Sequence, residues 1–302
     1  MEQNKIDIYQ MVTDKIIALL EKGTIPWRKP WTDGGLPKNL ITGKPYRGVN
    51  VFLLASLSYA QNLFLTFEQA KALGGSIKKG EKSQLVVFWK WIDIQNPDTT
   101  PPDEKKKQKP MLRYYHVFNV AQCNGIPEDR VPVITRPNNP IEICERIVEE
   151  MPNKPTFQHV ENEAYYIPTT DTLNMPDIEY FIESEAYYAT LFHELLHSTG
   201  HKDRLNRKEL VEPTKFGSYS YSTEELVAEI GSCYLQSYAG IVKNDMANSA
   251  AYIQGWLGKL KSDKRAIIYA SGLAQRATDY ILNVPQPQKE ERIQEELQMA
   301  AV

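Results

Sequence analysis

The sequence predicts an α+β protein of two domains, the first an α/β unit and the second mainly helical. Three observations carry this expectation. The chain has 302 residues, more than the ~100–200 that one domain commonly holds. Two runs in the first part, "QLVVFWKW" and "LRYYHVFNV", alternate and are rich in β-branched and aromatic residues, as strands are. After "IPEDRVPVITRPNNP", which contains four prolines, the apolar pattern becomes helical. The expected boundaries are a first domain at 1–125, a linker at 126–140, a second domain at 141–285 and a polar tail at 286–302.

Along the first domain, Ile6, Tyr9, Val12, Ile16 and Leu20 fall near helical spacing, in place of the apolar core of a signal peptide. The helix breaks at "GTIPWRKPW". A turn-rich stretch, "GGLPKNLITGKPYRGVN", leads to an apolar helix in "VFLLASLSYA". "TFEQAKALGG" reads as a short helix ended by Gly74 and Gly75. The two strands follow, joined by "DIQNPDTTPPDEKKKQKP", whose prolines and lysines suit an exposed hairpin insertion. In the second domain "IEICERIVEEM" is a helix, and "AYYIPTTDTLNMP" gives two short strands around a turn. A long helix is expected from about Ser184 to Ser198, with Gly200 closing it in the left-handed conformation. "STEELVAEIGSCYLQSYAG" is a helix with Ser222 or Thr223 as its cap and Gly240 as its stop. Two more helices run through "AAYIQGWLGKL" and "AIIYASGLAQRATDYIL".

Composition narrows the class. Hydrophobic residues are 42% and charged residues 24%, as in a globular chain dissolved in water. No apolar run approaches the ~18 residues of a bilayer span, so no membrane partner is expected. Cys123, Cys144 and Cys233 are odd in number and scattered, which gives neither a disulfide framework nor a Cys-x-x-Cys metal pair; a reducing cytoplasm is the simplest compartment. Residues 1–135 carry 19 Lys+Arg against 13 Asp+Glu, a balance of +6, and residues 136–302 carry 16 against 25, a balance of −9. The basic excess is modest and by itself indicates only a solvated surface.

The chemistry concentrates in "HELLHSTGHKD". His193 and His197 are four residues apart, on one helix face, and can grip one ion. Glu194 can take a proton from a water in the open coordination position, whose pKa zinc lowers. Leu191, Phe192, Leu195 and Leu196 flank these polar residues, which argues against a solvated surface helix. Zinc is the expected ion, with manganese or cobalt able to replace it in vitro. A third ligand is required. Glu229 is preferred, because Gly231 and Ser232 beside it would let its helix press against the histidine helix. Glu225, one turn earlier, is the next choice, either as ligand or as support for a histidine. Asp203 is the third: Gly200 and Asp203 are in register with His-Glu-x-x-His-x-x-Gly-x-x-Asp, whereas His201 falls two residues short.

A second constellation lies early in the chain. Trp27, Arg28, Lys29 and Trp31 alternate rings and cations; Tyr46 and Arg47 add one of each; Lys78, Lys79 and Lys82 surround a turn; and "FWKW" adds Trp89, Lys90 and Trp91. Rings that stack on unpaired bases, with cations along the phosphates, hold single-stranded nucleic acid without sequence choice. Trp27 and Trp31 could equally be core.

Together, "PWRKPW", "GLPKNLITGKPYRGVN", "LGGSIKKGEKS" and "VFNVAQCNGI" resemble the N-terminal domain of ArdC-type antirestriction proteins, and "HELLHSTGHKDRLNR" with "EELVAEIGSCYL" resembles their zincin-like metallopeptidase domain. The resemblance implies a protein of plasmids or mobile elements that binds single-stranded DNA and protects incoming DNA from host restriction. It implies His193, His197 and Glu229 as ligands and Glu194 as catalytic base. A metalloprotease that cleaves a host protein, with DNA binding for localisation, and a binding module with a purely structural metal are the alternatives.

Overall fold

The computed structural model describes residues 7–27, 35–57, 59–93, 108–132, 140–211, 219–241 and 250–285. Helix α1 (Ile8–Glu21) starts at Asp7, whose carboxylate accepts from the backbone N–H of Gln10 at 3.1 Å. Val12, Ile16 and Leu20 form its buried stripe. After β1 (Lys38–Asn39) come α2 (Val49–Ala55), β2 (Leu63–Leu65) and α3 (Phe67–Ala72). Helix α3 opens with a capping box between Thr66 and Gln69 and is ended by Gly74 at φ 79°. Strand β3 (Ser76–Ile77) pairs with β6 (Cys123–Asn124). The two long strands, β4 (Gln84–Asp93) and β5 (Gln108–Asn119), run antiparallel from Gln84 opposite Val117 to Asp93 opposite Gln108. The main sheet has the order β1-β2-β5-β4. The lysine-rich insertion between β4 and β5 lies outside the described residues.

The second part begins with α4 (Pro140–Glu150) and a small sheet of β7 (Thr156–Gln158), β8 (Tyr165–Ile167) and β9 (Thr172–Asn174) in the order β7-β9-β8. Helix α5 spans Ser184–Ser198, as its apolar spacing requires. The short α6 (Lys208–Val211) precedes α7 (Tyr219–Ala239), α8 (Ala250–Ser262) and α9 (Ala266–Ile281). No described helix is long and apolar enough to cross a membrane.

Two local expectations are corrected. Gly200 is not left-handed. A Cβ there would approach Leu210 Cδ2 to 2.8 Å and Arg207 Nη2 to 2.9 Å, so glycine makes room for the Arg207 side chain. Helix α7 starts at Tyr219, before either cap proposed from sequence, and Thr223 inside it accepts from Lys259 Nζ at 2.8 Å. Gly240 does stop this helix, at φ 78°.

One core joins the two domains. Val12, Ile16 and Leu20 of α1, Phe52 of α2, and Leu85 and Leu112 of the hairpin pack in one cluster with Leu226 of α7, Leu260 of α8 and Ile267 of α9. Polar contacts cross the same boundary: Thr13 donates to the Lys264 carbonyl at 2.8 Å, and Lys261 pairs with Glu21 at 2.8 Å. A second cluster, within the C-terminal part, packs α4 and β9 onto α5, α7 and α9. The change of pattern near residue 125 is thus a change of element type and not a break in packing.

Candidate metal centre

Helix α5 presents His193 and His197 one turn apart, with Leu195 and Leu196 fully buried behind them. Helix α7 crosses α5 in the opposite direction. Its closest approach is at Gly231, where a Cβ would overlap the Leu196 side chain, and at Ser232, which donates to the Ala189 carbonyl at 3.0 Å. The small residues therefore do what the sequence suggested. They set a register that brings the early turns of α7, Glu224 and Glu225, beside the two histidines.

The Nε2 atoms of His193 and His197 lie 3.1 Å apart. Glu225 places Oε2 3.7 Å from His193 Nε2 and Oε1 3.7 Å from His197 Nε2. Among the described residues these three form the one group of His, Cys, Asp or Glu donors gathered closely enough for an ion, all within 4.8 Å. Tetrahedral zinc with Zn–N bonds of ~2.0–2.1 Å would separate its donor atoms by roughly 3.3 Å, so the set fits a divalent metal. Glu225 stands in the place expected for Glu229, which is one turn further along α7 and outside the group. Asp203 is also outside it; its carboxylate, 66% exposed, faces His201 Nδ1 at 3.6 Å. His201 belongs to the turn that follows α5.

A chain of buried groups supports the site from behind. Glu224 Oε1 lies 3.2 Å from Nδ1 of His197, which turns Nε2 toward the other donors. The same carboxylate accepts from Arg207 Nε at 2.9 Å and Nη2 at 2.5 Å, and Arg207 also donates to the Leu196 carbonyl at 2.7 Å. Burial alone would raise the pKa of Glu224, but Arg207 and His197 hold it down to about 2. Burial likewise opposes charging His197, yet Glu224 outweighs that and raises its pKa. Exposure grades from 3% and 5% at Arg207 and Glu224 to 23% and 31% at His193 and Glu225, so the centre is closed behind and open in front. Glu194, half-buried, is the next residue after His193 on the same helix. Arg204 braces the turn after α5: it bonds Asp171 and the Tyr166 hydroxyl, between β8 and β9, and donates to the Ser198 carbonyl at 2.7 Å. Neither arginine was singled out from sequence, although both stand in "HKDRLNR".

The early aromatic-basic set is dispersed. Trp27 is fully buried, edge-on to Phe52 and Trp256 at 6.1 and 6.0 Å between ring centres. Tyr46 is 2% exposed and packs on Phe64. Both are core residues, with no ring face left for a base, which corrects their expected role. Arg28, Lys29 and Trp31 lie outside the described residues. Arg47 pairs with Asp279 of α9 and remains 46% exposed on its side chain. Lys78, Lys79 and Lys82 are exposed around the β3–β4 turn, with Lys78 Nζ donating to the Ala121 carbonyl at 2.7 Å.

With this geometry in hand, known proteins give the affiliation. Residues 6–118 match the model of the N-terminal domain of anti-restriction factor ArdC, and residues 144–273 match that of a zincin-like metallopeptidase. The chain belongs to the ArdC-type antirestriction family. It is similar over 92% of its length to the antirestriction ArdC protein from plasmid R388. The metal-free crystal structure of that protein gives 38% identity, 97% coverage of that chain and a TM-score of 0.75. The Mn(II)-bound structure gives 39% identity, 98% coverage and a TM-score of 0.72. The uncharacterized protein y4eC of Sinorhizobium fredii is 36% identical over 290 residues, 92% of each chain. DNA primase TraC of Escherichia coli is 35% identical over 96% of this chain, which spans 21% of TraC. As in the ArdC family, an N-terminal ArdC domain precedes a zincin-like domain in a two-domain α+β chain.

Proposed function

We propose that this protein binds single-stranded DNA and protects incoming plasmid or mobile-element DNA from host restriction. The carrying observation is the similarity along nearly the whole chain to the antirestriction ArdC protein of plasmid R388. It acts in the cytoplasm, where entering DNA meets restriction enzymes.

The metal centre is a zincin-type site held by His193, His197 and Glu225, with zinc as the native ion. Zinc supplies Lewis acidity and a water of lowered pKa. With the ion bound, Glu194, beside the ligands, would serve as the general base of the site. Glu224 holds the imidazole of His197 by Nδ1, and Arg207 fixes Glu224. Glu229 remains the alternative ligand, favoured by the family pattern and disfavoured by the donor distances. The second reading is an active metalloprotease acting on a host protein; the complete set of ligands and base favours keeping it.

The test is plasmid transfer into a restricting host, with wild type and Glu194→Gln compared for protection, and purified protein compared for zinc content. Protection by both variants supports the DNA-protective reading with the metal centre as an accessory. Protection lost in Glu194→Gln with zinc retained supports the protease. No protection by wild type overturns the antirestriction reading.

A further inference from the structure

A groove of about 670 Å³ lies where the two domains meet, between the β4–β5 hairpin, the Lys44–Asn50 segment and α9. Lys44, Arg47, Arg265 and Arg276 line it, and among the described residues no Asp or Glu does. Its aromatic walls come from both domains: Trp89, 37% exposed, on β4 and Tyr269, 50% exposed, on α9. Tyr9 of α1 also lines the groove. Its ring meets Trp89 edge-on at 6.5 Å, and the Arg265 guanidinium sits 5.3 Å over it. On α9, Arg265, Tyr269, Gly272 and Arg276 recur at helical spacing, so one stripe of the helix faces the groove while Ile267, Ala270 and Ala274 face the shared core.

The backbone floor is fixed. Gly48 N–H donates to Gln275 of α9 at 3.1 Å, and the Tyr234 hydroxyl of α7 donates to the Gly48 carbonyl at 2.9 Å. Asp279 sits behind Arg47 and is itself buried, so it orients the guanidinium without putting a carboxylate on the groove surface. Flat rings beside cations, on a lining whose described residues are free of carboxylates, suit unpaired bases and their backbone. A duplex keeps its base faces stacked and offers none to the rings.

We infer that single-stranded DNA runs through this junction groove, with bases on Trp89 and Tyr269 and phosphates on Arg47, Arg265 and Arg276. The inference rests on the single-strand reading above and places the strand on α9 of the otherwise acidic C-terminal half as much as on the N-terminal domain. A volume within the ~300–1,000 Å³ of small-molecule sites holds only a few nucleotides, so a longer strand must leave the groove at both ends.

The test uses the full chain and a fluorescein-labelled oligothymidylate, followed by anisotropy at two salt concentrations. Gly272→Glu is the decisive variant. A Cβ at Gly272 meets nothing within 4 Å and its backbone is ordinary helix, so the substitution puts a carboxylate in the groove without disturbing the fold. It should weaken binding about tenfold or more, with the melting temperature and metal content kept. Tyr269→Ala should weaken binding about tenfold. Arg276→Gln should lower the slope of log affinity against log salt by about 0.7. If the wild type binds and Gly272→Glu and Tyr269→Ala bind equally well, the groove assignment is overturned while the single-strand reading stands. If binding is lost instead in a Lys78→Gln, Lys79→Gln, Lys82→Gln triple variant with Gly272→Glu unaffected, the strand follows the β3–β4 turn and the groove assignment is again overturned. If the wild type binds no oligothymidylate, the single-strand reading itself falls.

Discussion

The Glu224 carboxylate meets His197 on the nitrogen that faces away from the other metal donors, Nδ1 at 3.2 Å. Adjacent glutamates thus divide the work, Glu225 presenting oxygen beside both Nε2 atoms and Glu224 orienting one imidazole. Loss of an outer partner of this kind costs about 10–100-fold in metal affinity. Glu224→Gln should fall in that range, and Glu225→Ala should lose more. Glu229→Ala and Asp203→Ala should lose less than either. Competition titration of metal-stripped protein with zinc ranks the four; Glu229→Ala as the most damaging would restore the ligand choice made from sequence.

Arg207 should matter to the fold as well as to the site. Its side chain and that of Glu224 are 3% and 5% exposed, so Arg207→Met leaves a buried carboxylate without its cation, at about 3–5 kcal/mol. Glu224 is held at about 2, below its ordinary 4.5. Its stabilising contribution in the wild type is therefore complete above pH 4.5 and lost as the pH falls toward 2. In Arg207→Met, acid instead protonates the stranded carboxylate and relieves the penalty. Denaturant unfolding across this range should show the gap between the two proteins narrowing with acid, and a gap independent of pH would contradict it.

The contact of Gly231 with Leu196 sets the spacing of α5 and α7. Gly231→Val should cost about 1–3 kcal/mol of stability and reduce zinc affinity at the same time, because spreading the helices moves Glu225 from the histidines. Gly258→Ala on the exposed face of α8, where a Cβ meets nothing within 4 Å, is the control. It should leave zinc affinity unchanged and raise stability by about 0.5–1 kcal/mol. Thermal unfolding and zinc titration of both variants check the contrast.

Trp27→Ala should destabilise by about 3–5 kcal/mol, as expected for a large core ring, whereas Trp89→Ala should cost far less. Chemical denaturation separates them. Equal small losses would return Trp27 to the surface role first suggested by its prolines and cations.

The legible parts of the chain were those written in local periodicity. Leu191, Phe192, Leu195 and Leu196 gave α5 its buried face, and the alternation in "QLVVFWKW" and "LRYYHVFNV" gave the central hairpin. The histidine pair followed from four-residue spacing. The third donor did not, because it depends on where two helices cross, and that register is fixed by Gly231 against Leu196. The expected cap at Ser222 or Thr223 would put Glu225 in the first turn; α7 already includes Tyr219, so Glu225 lies in the body of the helix. Trp27 misled because its neighbours in sequence are prolines and charges while its neighbours in space are Phe52 and Trp256. The junction groove was legible only on its N-terminal side, where Trp89 and Arg47 belong to the aromatic-basic set; Tyr269 stands 180 positions from Trp89.

The core that packs α1 and α2 against α7, α8 and α9 bears on whether the domains can be parted. A cut near residue 125 would expose Ile16, Phe52 and Trp27 on one fragment and Leu226, Ile267 and Trp256 on the other. Either fragment alone would carry that apolar surface uncovered, so the two domains complete each other's core. In the primase relative, a region similar to 96% of this chain, both domains included, stands within a much longer protein.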